Sequence, residues 1–351
     1  ILGGGPGGYV AAIRGAQLGL KTCIIDKDKL GGICLNWGCI PTKALLKNAE
    51  VYHTIKNADT YGITVGNVSV DFKKNIKRSR DVSNRLSKGI EFLMKKNKIT
   101  HISGTGKLIS KTSIEVKNGR KTETVEASNI IIATGARPRT FPGMELDGKR
   151  VISYKEAMVL DAPPKKMIII GSGAIGSEFA YYYNEFGTEI HMVEMMDCLL
   201  PVEDADVSKE VEKSFKKSGI KVSTSTKVLK IESLKTKVKV HIETNGKEAI
   251  LEGDVALLAV GVTGNIENIG LEDLGLKTDR GSIIINEYNQ TNFQNIYAIG
   301  DVSGPPWLAH VASAQGHVAS DHIAGHSPKP VDYSNIPGCT YCHPQVGSLG
   351  L

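Results

Sequence analysis

Ile1-Leu2-Gly3-Gly4-Gly5-Pro6-Gly7-Gly8 opens the chain, and the same design returns at Ile170-Gly171-Ser172-Gly173-Ala174-Ile175-Gly176. In both places an apolar strand end runs into Gly-x-Gly-x-x-Gly, and a stretch that suits a helix follows. Gly3, Gly5 and Gly8 form the first set; Gly171, Gly173 and Gly176 form the second. An acid, Asp26 or Glu194, stands 23 residues past the first glycine of each set. The first glycine permits a tight turn, and the second lets pyrophosphate oxygens reach the backbone. The third brings the helix close to the strand and aims its positive end at the phosphates. The acid, at the end of the following strand, suits the hydroxyls of a ribose. One such pattern in a chain with 38 glycines is weak. Two, with the acid at equal spacing, predict two dinucleotide sites. Their separation of 168 residues is too long for a solenoid repeat and points to two related domains. Met195-Met196-Asp197 follows Glu194 and offers no cation for a 2′-phosphate, so the second site is expected to prefer NAD over NADP.

Around these turns, residues 9–18, 41–57 and 71–97 are predicted helices. The last carries Val82, Leu86, Ile90 and Leu93 at helical spacing. Residues 22–26, 99–132, 167–170, 189–194, 220–260 and 295–299 read mainly as strands, with hairpin turns at Asn118-Gly119 and Asn245-Gly246. A helix reaching about residue 184 follows the second glycine set, and Pro163-Pro164 marks a linker. The predicted fold class is α/β, with two Rossmann-like dinucleotide-binding domains, the second inserted in the first.

The 351 residues suit about two domains and bury sizeable cores without staples. A net charge of +6, read as spread along the chain, does not indicate a nucleic-acid binder. With 41% hydrophobic and 23% charged residues, the composition excludes a disordered or fibrous chain. No apolar run approaches the ~20 residues of a membrane span. The chain opens on its glycine cluster with no signal segment, and a cytoplasmic location is expected. Both ends read as cuts, making this an interior piece of a longer polypeptide.

Six cysteines are too few for a disulfide scaffold. The informative pair lies in Leu30-Gly31-Gly32-Ile33-Cys34-Leu35-Asn36-Trp37-Gly38-Cys39-Ile40-Pro41-Thr42-Lys43. A predicted helix start there favours a thiolate, and so short a loop would make a disulfide exchangeable. Two readings stand beside redox use: a pair of small buried hydrophobes, and a zinc site, which lacks a partner ligand set nearby. Cys339-x-x-Cys342 next to His343 reads as two strand cysteines, and Cys23 and Cys198 as core residues. The basic runs Lys95-Lys96-Asn97-Lys98 and 227–239 read as solvated surface.

Together, Gly-x-Gly-Pro-Gly-Gly and Gly-Gly-x-Cys-Leu-Asn-x-Gly-Cys-Ile-Pro-x-Lys resemble the flavin-dependent pyridine nucleotide-disulfide oxidoreductases. Ala133-Thr134-Gly135-Ala136-Arg137-Pro138, Gly173-Ala174-Ile175-Gly176-Ser177-Glu178, Ala298-Ile299-Gly300-Asp301 and Leu308-Ala309-His310 extend the resemblance along the whole chain. The Cys34-Leu35-Asn36 start resembles members acting on dihydrolipoamide; glutathione and mercuric reductases usually carry valine at the middle position.

The resemblance implies FAD at Gly3, Gly5, Gly8 and Asp26, with Lys43, Gly106, Ala133, Thr134, Gly135, Asp301, Leu308, Ala309 and His310. It implies NAD at Gly171, Gly173, Gly176, Glu178, Glu194, Val228 and Gly261. Cys34, Cys39, Lys43 and Glu178 are the implied catalytic residues: Cys34 exchanges with the dithiol, Cys39 passes electrons to the flavin, and no metal takes part. The implied activity reoxidises dihydrolipoamide on the lipoyl domains of 2-oxo acid dehydrogenase or glycine-cleavage complexes. The implied domains are FAD-binding (1–148, returning at 269–334), NAD-binding (149–268) and the start of a dimerisation domain (335–351). In the family that last domain makes the homodimer and supplies a His–Glu acid–base pair. His343 does not match the catalytic motif, and Val262-Thr263-Gly264 replaces the usual arginine after 259–261. Reduction of another disulfide or of a metal ion, and a non-catalytic nucleotide-binding module, are the alternatives.

Overall fold

The computed structural model describes residues 1–350. Its helices are α1 (Pro6–Gln17), α2 (Gly32–Trp37), α3 (Cys39–Lys56), α4 (Phe72–Lys96), α5 (Tyr154–Ala157), α6 (Ala174–Glu185), α7 (Ala205–Lys217), α8 (Leu271–Leu274) and α9 (Ala309–Ile323). The chain forms two compact units. One comprises residues 1–36, 83–137 and 262–336; the other comprises 37–82, 138–261 and the residues from 337 onward.

In the first unit, Cys23–Asp26 pairs in parallel with Thr100–Ser103, and Ile130–Ile132 with Ile296–Ala298. Leu2 bridges the two pairs by contacting Ile25 and Ile132. Strand side chains alternate between faces. Ile130 and Ile132 accordingly join Leu2, Ile25, Ile296 and Ala298 in one buried cluster. Ile131 and Tyr297 point the other way, to Ala11 of α1 and Ala319 of α9. A Cβ on Gly316 would stand 2.8 Å from the Gly7 carbonyl oxygen, so glycine here sets the close approach of α1 and α9. The unit also holds the antiparallel strands Thr105–Leu108, Ser113–Asn118 and Lys121–Glu126.

The second unit has a five-stranded parallel sheet in the order Lys221–Ser223, Glu189–Val193, Lys166–Ile170, Val255–Leu258, Val151–Ile152. A three-stranded antiparallel sheet, Thr226–Ser233, Val238–Thr244 and Lys247–Gly253, shares its apolar core: Ile168, Ile170, Val193, Val238, Val240 and Leu258.

Several sequence expectations are corrected. The first helix begins at Pro6 rather than at residue 9, with Tyr9 N donating to Gly5 O at 2.9 Å. Proline is favourable at the first helical position, where its missing N–H costs nothing. Helices α7 and α9 lie where no helix was predicted. The charge is not spread: α4 alone holds nine basic and two acidic side chains. Cys339 is in the strand Gly338–Thr340, but Cys342 lies beyond it, buried, its thiol donating to Pro344 O at 3.2 Å.

Candidate functional site

The two glycine turns have the same construction. Gly3 and Gly171 have φ of 109° and 99°, the left-handed region that favours glycine. A Cβ on Gly3 would lie 2.1 Å from Ala133 O, and one on Gly171 would lie 2.4 Å from Ala259 O. The third glycines are equally tight: a Cβ on Gly8 or Gly176 would stand 1.9 or 2.0 Å from the carbonyl oxygen of Gly3 or Gly171. The middle glycines are open. Around Gly5 the nearest atom to an added Cβ is at 3.9 Å, and around Gly173 there is none within 4 Å. Each turn thus presses helix against strand and leaves bare backbone at the N-terminus of a twelve-residue helix, α1 or α6. That arrangement fits a pyrophosphate.

Both acids brace the turn they follow. Asp26 Oδ2 accepts from Gly4 N, and Oδ1 accepts from Asp28 N at 2.8 Å. Glu194 Oε2 accepts from Ser172 N at 2.8 Å and from Ser172 Oγ at 2.7 Å, while Oε1 accepts from Met196 N at 2.9 Å. The remaining lone pairs of these carboxylates suit sugar hydroxyls. Beyond Glu194, Met195 and Met196 are exposed. Ser172 was not singled out from the sequence, because any small residue satisfies the spacing.

Of the other FAD candidates, Lys43 falls in the second unit and the rest lie in the first. Ala133 backs Gly3, while Gly106 lies against Leu2, where a Cβ would stand 2.5 Å from the leucine Cδ1. Gly106 is therefore core, with only its backbone to offer. Thr134 and Gly135 are held by Asn265: Thr134 Oγ1 donates to Asn265 O at 2.9 Å, Asn265 Nδ2 donates to Thr134 O at 2.9 Å, and Asn265 N donates to Gly135 O at 2.9 Å. Asp301 lies in the short turn Gly300–Ser303. Burial pushes its carboxyl up to about 6. Among the described residues nothing donates to that carboxylate, which fits a ligand bringing hydroxyls. Leu308, Ala309 and the exposed His310 form the start of α9. Gln315 fixes the neighbouring loop, its Oε1 accepting from Gly300 N at 2.6 Å; no spacing in the sequence marks it.

Cys34 lies in α2 and Cys39 is the first residue of α3, after Gly38; both are half-buried. Four residues beyond Cys39, Lys43 donates to both oxygens of Glu178, at 2.7 and 2.9 Å. Glu178 is only 3% exposed and also accepts from Tyr341 N at 3.0 Å. The Lys43 ammonium stands 4.8 Å from the Tyr341 ring centroid. Lys43 and Glu178 are 135 residues apart, and this ion pair joins the cysteine-bearing α3 to α6, the helix of the second glycine turn. Tyr341 carries no motif and was missed.

Of the remaining NAD candidates, Val228 is in the hydrophobic core, leaving its backbone as the contact group. Gly261 is exposed with φ of 95°, and its carbonyl accepts from Arg139 N at 3.0 Å. His343 packs against the rings of His53 and Tyr181, at centroid distances of 4.9 and 5.9 Å. Burial pushes the Cys342 thiol up to about 12. No group of side chains suited to a metal ion occurs among the described residues.

The family model described as pyridine nucleotide-disulphide oxidoreductase matches residues 1–316. The chain is 50% identical to a dihydrolipoyl dehydrogenase of Rhizobium etli, covering the whole of this chain and 77% of that protein. It is 49% and 44% identical to dihydrolipoyl dehydrogenases of Zymomonas mobilis and Bacillus subtilis, again over its full length and 76% of each relative. The crystal structure of LpdA from Mycobacterium tuberculosis superposes with a TM-score of 0.93 at 28% identity, covering all of this chain and 77% of that one.

Proposed function

The chain belongs to the pyridine nucleotide-disulphide oxidoreductases, a family of flavoprotein enzymes, and on that premise we propose that it acts as a dihydrolipoyl dehydrogenase. Its substrate is dihydrolipoamide carried on the lipoyl domains of 2-oxo acid dehydrogenase or glycine-cleavage complexes. FAD occupies the first turn and NAD the second, with the contact residues set out above. The flavin-binding domain comprises 1–148 and 269–334, the NAD-binding domain 149–268, and a dimerisation domain starts at 335. The intact enzyme works as a cytoplasmic homodimer.

The supporting observation is the Lys43–Glu178 pair, which ties the helix of Cys39 to the helix of a dinucleotide turn. A thiol–disulfide reaction coupled to a dinucleotide needs those two helices held in register.

The chain's own chemistry is exchange at sulfur. One substrate thiolate attacks Cys34 Sγ. A substrate–Cys34 bond forms, the Cys34–Cys39 bond breaks, and its electron pair stays on Cys39 as a thiolate. The second substrate thiolate attacks the substrate sulfur bonded to Cys34, closing the lipoamide disulfide and releasing Cys34 as a thiolate. Bound at the first and second turns, FAD and NAD⁺ would supply the two-electron acceptors for the resulting dithiol. Cys39, at the start of α3, has its developing negative charge at the positive end of that helix. Lys43, one turn further on, is engaged by Glu178 and anchors α3 to α6.

The experiment is dihydrolipoamide-dependent reduction of NAD⁺ by the parent and by Cys34→Ser and Cys39→Ser. The reading expects turnover in the parent and a loss of more than about a thousandfold in each variant. Turnover that survives either substitution contradicts it.

A further inference from the structure

Cys34 sits on a helix of only six residues, α2, which cannot hold its own shape in water. Two serines of α4, one helical turn apart, fix it. Ser83 Oγ donates to the carbonyl of Leu35 at 2.5 Å. Ser87 Oγ donates to Asn36 Oδ1 at 2.7 Å. The Asn36 amide then donates to Gly32 O at 3.0 Å and to Leu30 O at 3.2 Å. Asn36, Ser83 and Ser87 are 6%, 3% and 3% exposed, so this network is shut away from water. The amide has one orientation, because its nitrogen faces carbonyls and its oxygen faces a hydroxyl.

The far end of the network reaches the first glycine turn. Gly31 N donates to Gly4 O at 2.8 Å, and a Cβ on Gly32 would stand 2.5 Å from Gly5 Cα. Asn36 grips the carbonyls on either side of Gly31. The short helix of Cys34 is therefore tied to α4 on one side and to the glycine turn on the other. All of these residues lie in one compact unit.

From this we infer that Asn36, Ser83 and Ser87 are positioning residues for Cys34, holding α2 in one place whether the Cys34 sulfur is bonded or free. This rests on Cys34 being the exchange thiol. Its logic is that of a fully satisfied buried polar network, which selects one arrangement where apolar packing tolerates several. With the helix pinned, oxidation and reduction move sulfur rather than backbone. Loss of the Ser87 hydroxyl removes one buried hydrogen bond from Asn36 Oδ1 and loosens the hold of α4 on α2, a change that shifts the balance between the redox states of the loop.

The test compares the flavin-loaded parent with Ser87→Ala and Ser87→Thr, the second keeping a hydroxyl. Bound flavin per chain and the oxidised flavin spectrum report folding. Three further readouts report Cys34: kcat/KM for dihydrolipoamide, the midpoint potential of the Cys34–Cys39 couple, and the long-wavelength absorption on partial reduction. Ser87→Ala is expected to keep its flavin, lose about tenfold in kcat/KM, and move the dithiol–disulfide equilibrium about tenfold, about 30 mV for a two-electron couple. Ser87→Thr is expected to return toward the parent in all three. If the parent turns over dihydrolipoamide and Ser87→Ala matches it in rate, potential and spectrum, the positioning role is wrong and the function stands. A parent with neither turnover nor long-wavelength absorption overturns both.

Discussion

Glu178 places a carboxylate at 3% exposure, and burying an unpaired charge there would cost several kcal/mol. Lys43 supplies the counter-charge from a half-exposed position, so solvent screening reduces the worth of the pair. Lys43→Ala should lower stability by about 1–2 kcal/mol, with Glu178→Gln partly restoring it in the double variant. Thermal unfolding of the four proteins measures that coupling; additive losses would remove the pair from the account. Asp301 is the opposite case, an acid raised to about 6 by burial with no donor among the described residues. A carboxyl raised on folding stabilises the fold fully below its unfolded value, near pH 4, and that contribution is lost as pH rises through about 6. The flavin-free protein should therefore weaken between about pH 4 and 6, and Asp301→Asn should flatten that slope and gain about 1–3 kcal/mol at pH 7. The same variant should hold flavin less tightly. Parallel pH-stability curves for the two proteins would contradict this. At this scale the sequence named the cysteines, the glycines and the acids, because those roles need fixed residue types at fixed spacings. It did not mark Ser87, Asn265, Gln315 or Tyr341, whose partners are brought near only by folding.

Each glycine turn, with the strand before it and the helix after it, is a unit in which one added methyl has nowhere to go. In Gly8→Ala and Gly176→Ala the new carbon would meet a backbone oxygen at 1.9 or 2.0 Å, so helix and strand must separate. Because the turns sit in different sheets, the effects should separate too. Gly8→Ala is expected to lose flavin, whereas Gly176→Ala keeps its flavin and loses at least about tenfold in affinity for NADH, about 1.4 kcal/mol. Flavin content after purification and NADH titration measure the two; an unaffected NADH affinity in Gly176→Ala would exclude the second turn as the nucleotide site. The α4 periodicity was legible, as were the strands around both hairpins, since apolar residues there repeat at the period of the element. Helices α7 and α9 were not. In α9, buried Val311, Ala312, Val318 and Ala319 are mixed with Gln315, Gly316 and Ser320, also buried, so no apolar stripe stands out.

Across the whole molecule the repeat of glycine turn and acid was readable because it is local, and it set the expectation of two related dinucleotide-binding domains. The grouping of residues 37–82 with the second turn was not readable. It depends on contacts such as Lys43 with Glu178 and His53 Nδ1 with Glu185 Oε1 at 2.8 Å, each more than 130 residues apart in sequence. The proposed function requires three things together: a flavin on the first turn, NAD on the second, and a Cys34–Cys39 disulfide in electronic contact with the flavin. One experiment addresses all three, an anaerobic titration of the flavin-loaded protein with NADH and, separately, with NADPH, followed in the visible spectrum. NADH, and not NADPH, is expected to produce the long-wavelength band of a thiolate beside oxidised flavin. Simple bleaching of the flavin with no such band would contradict it.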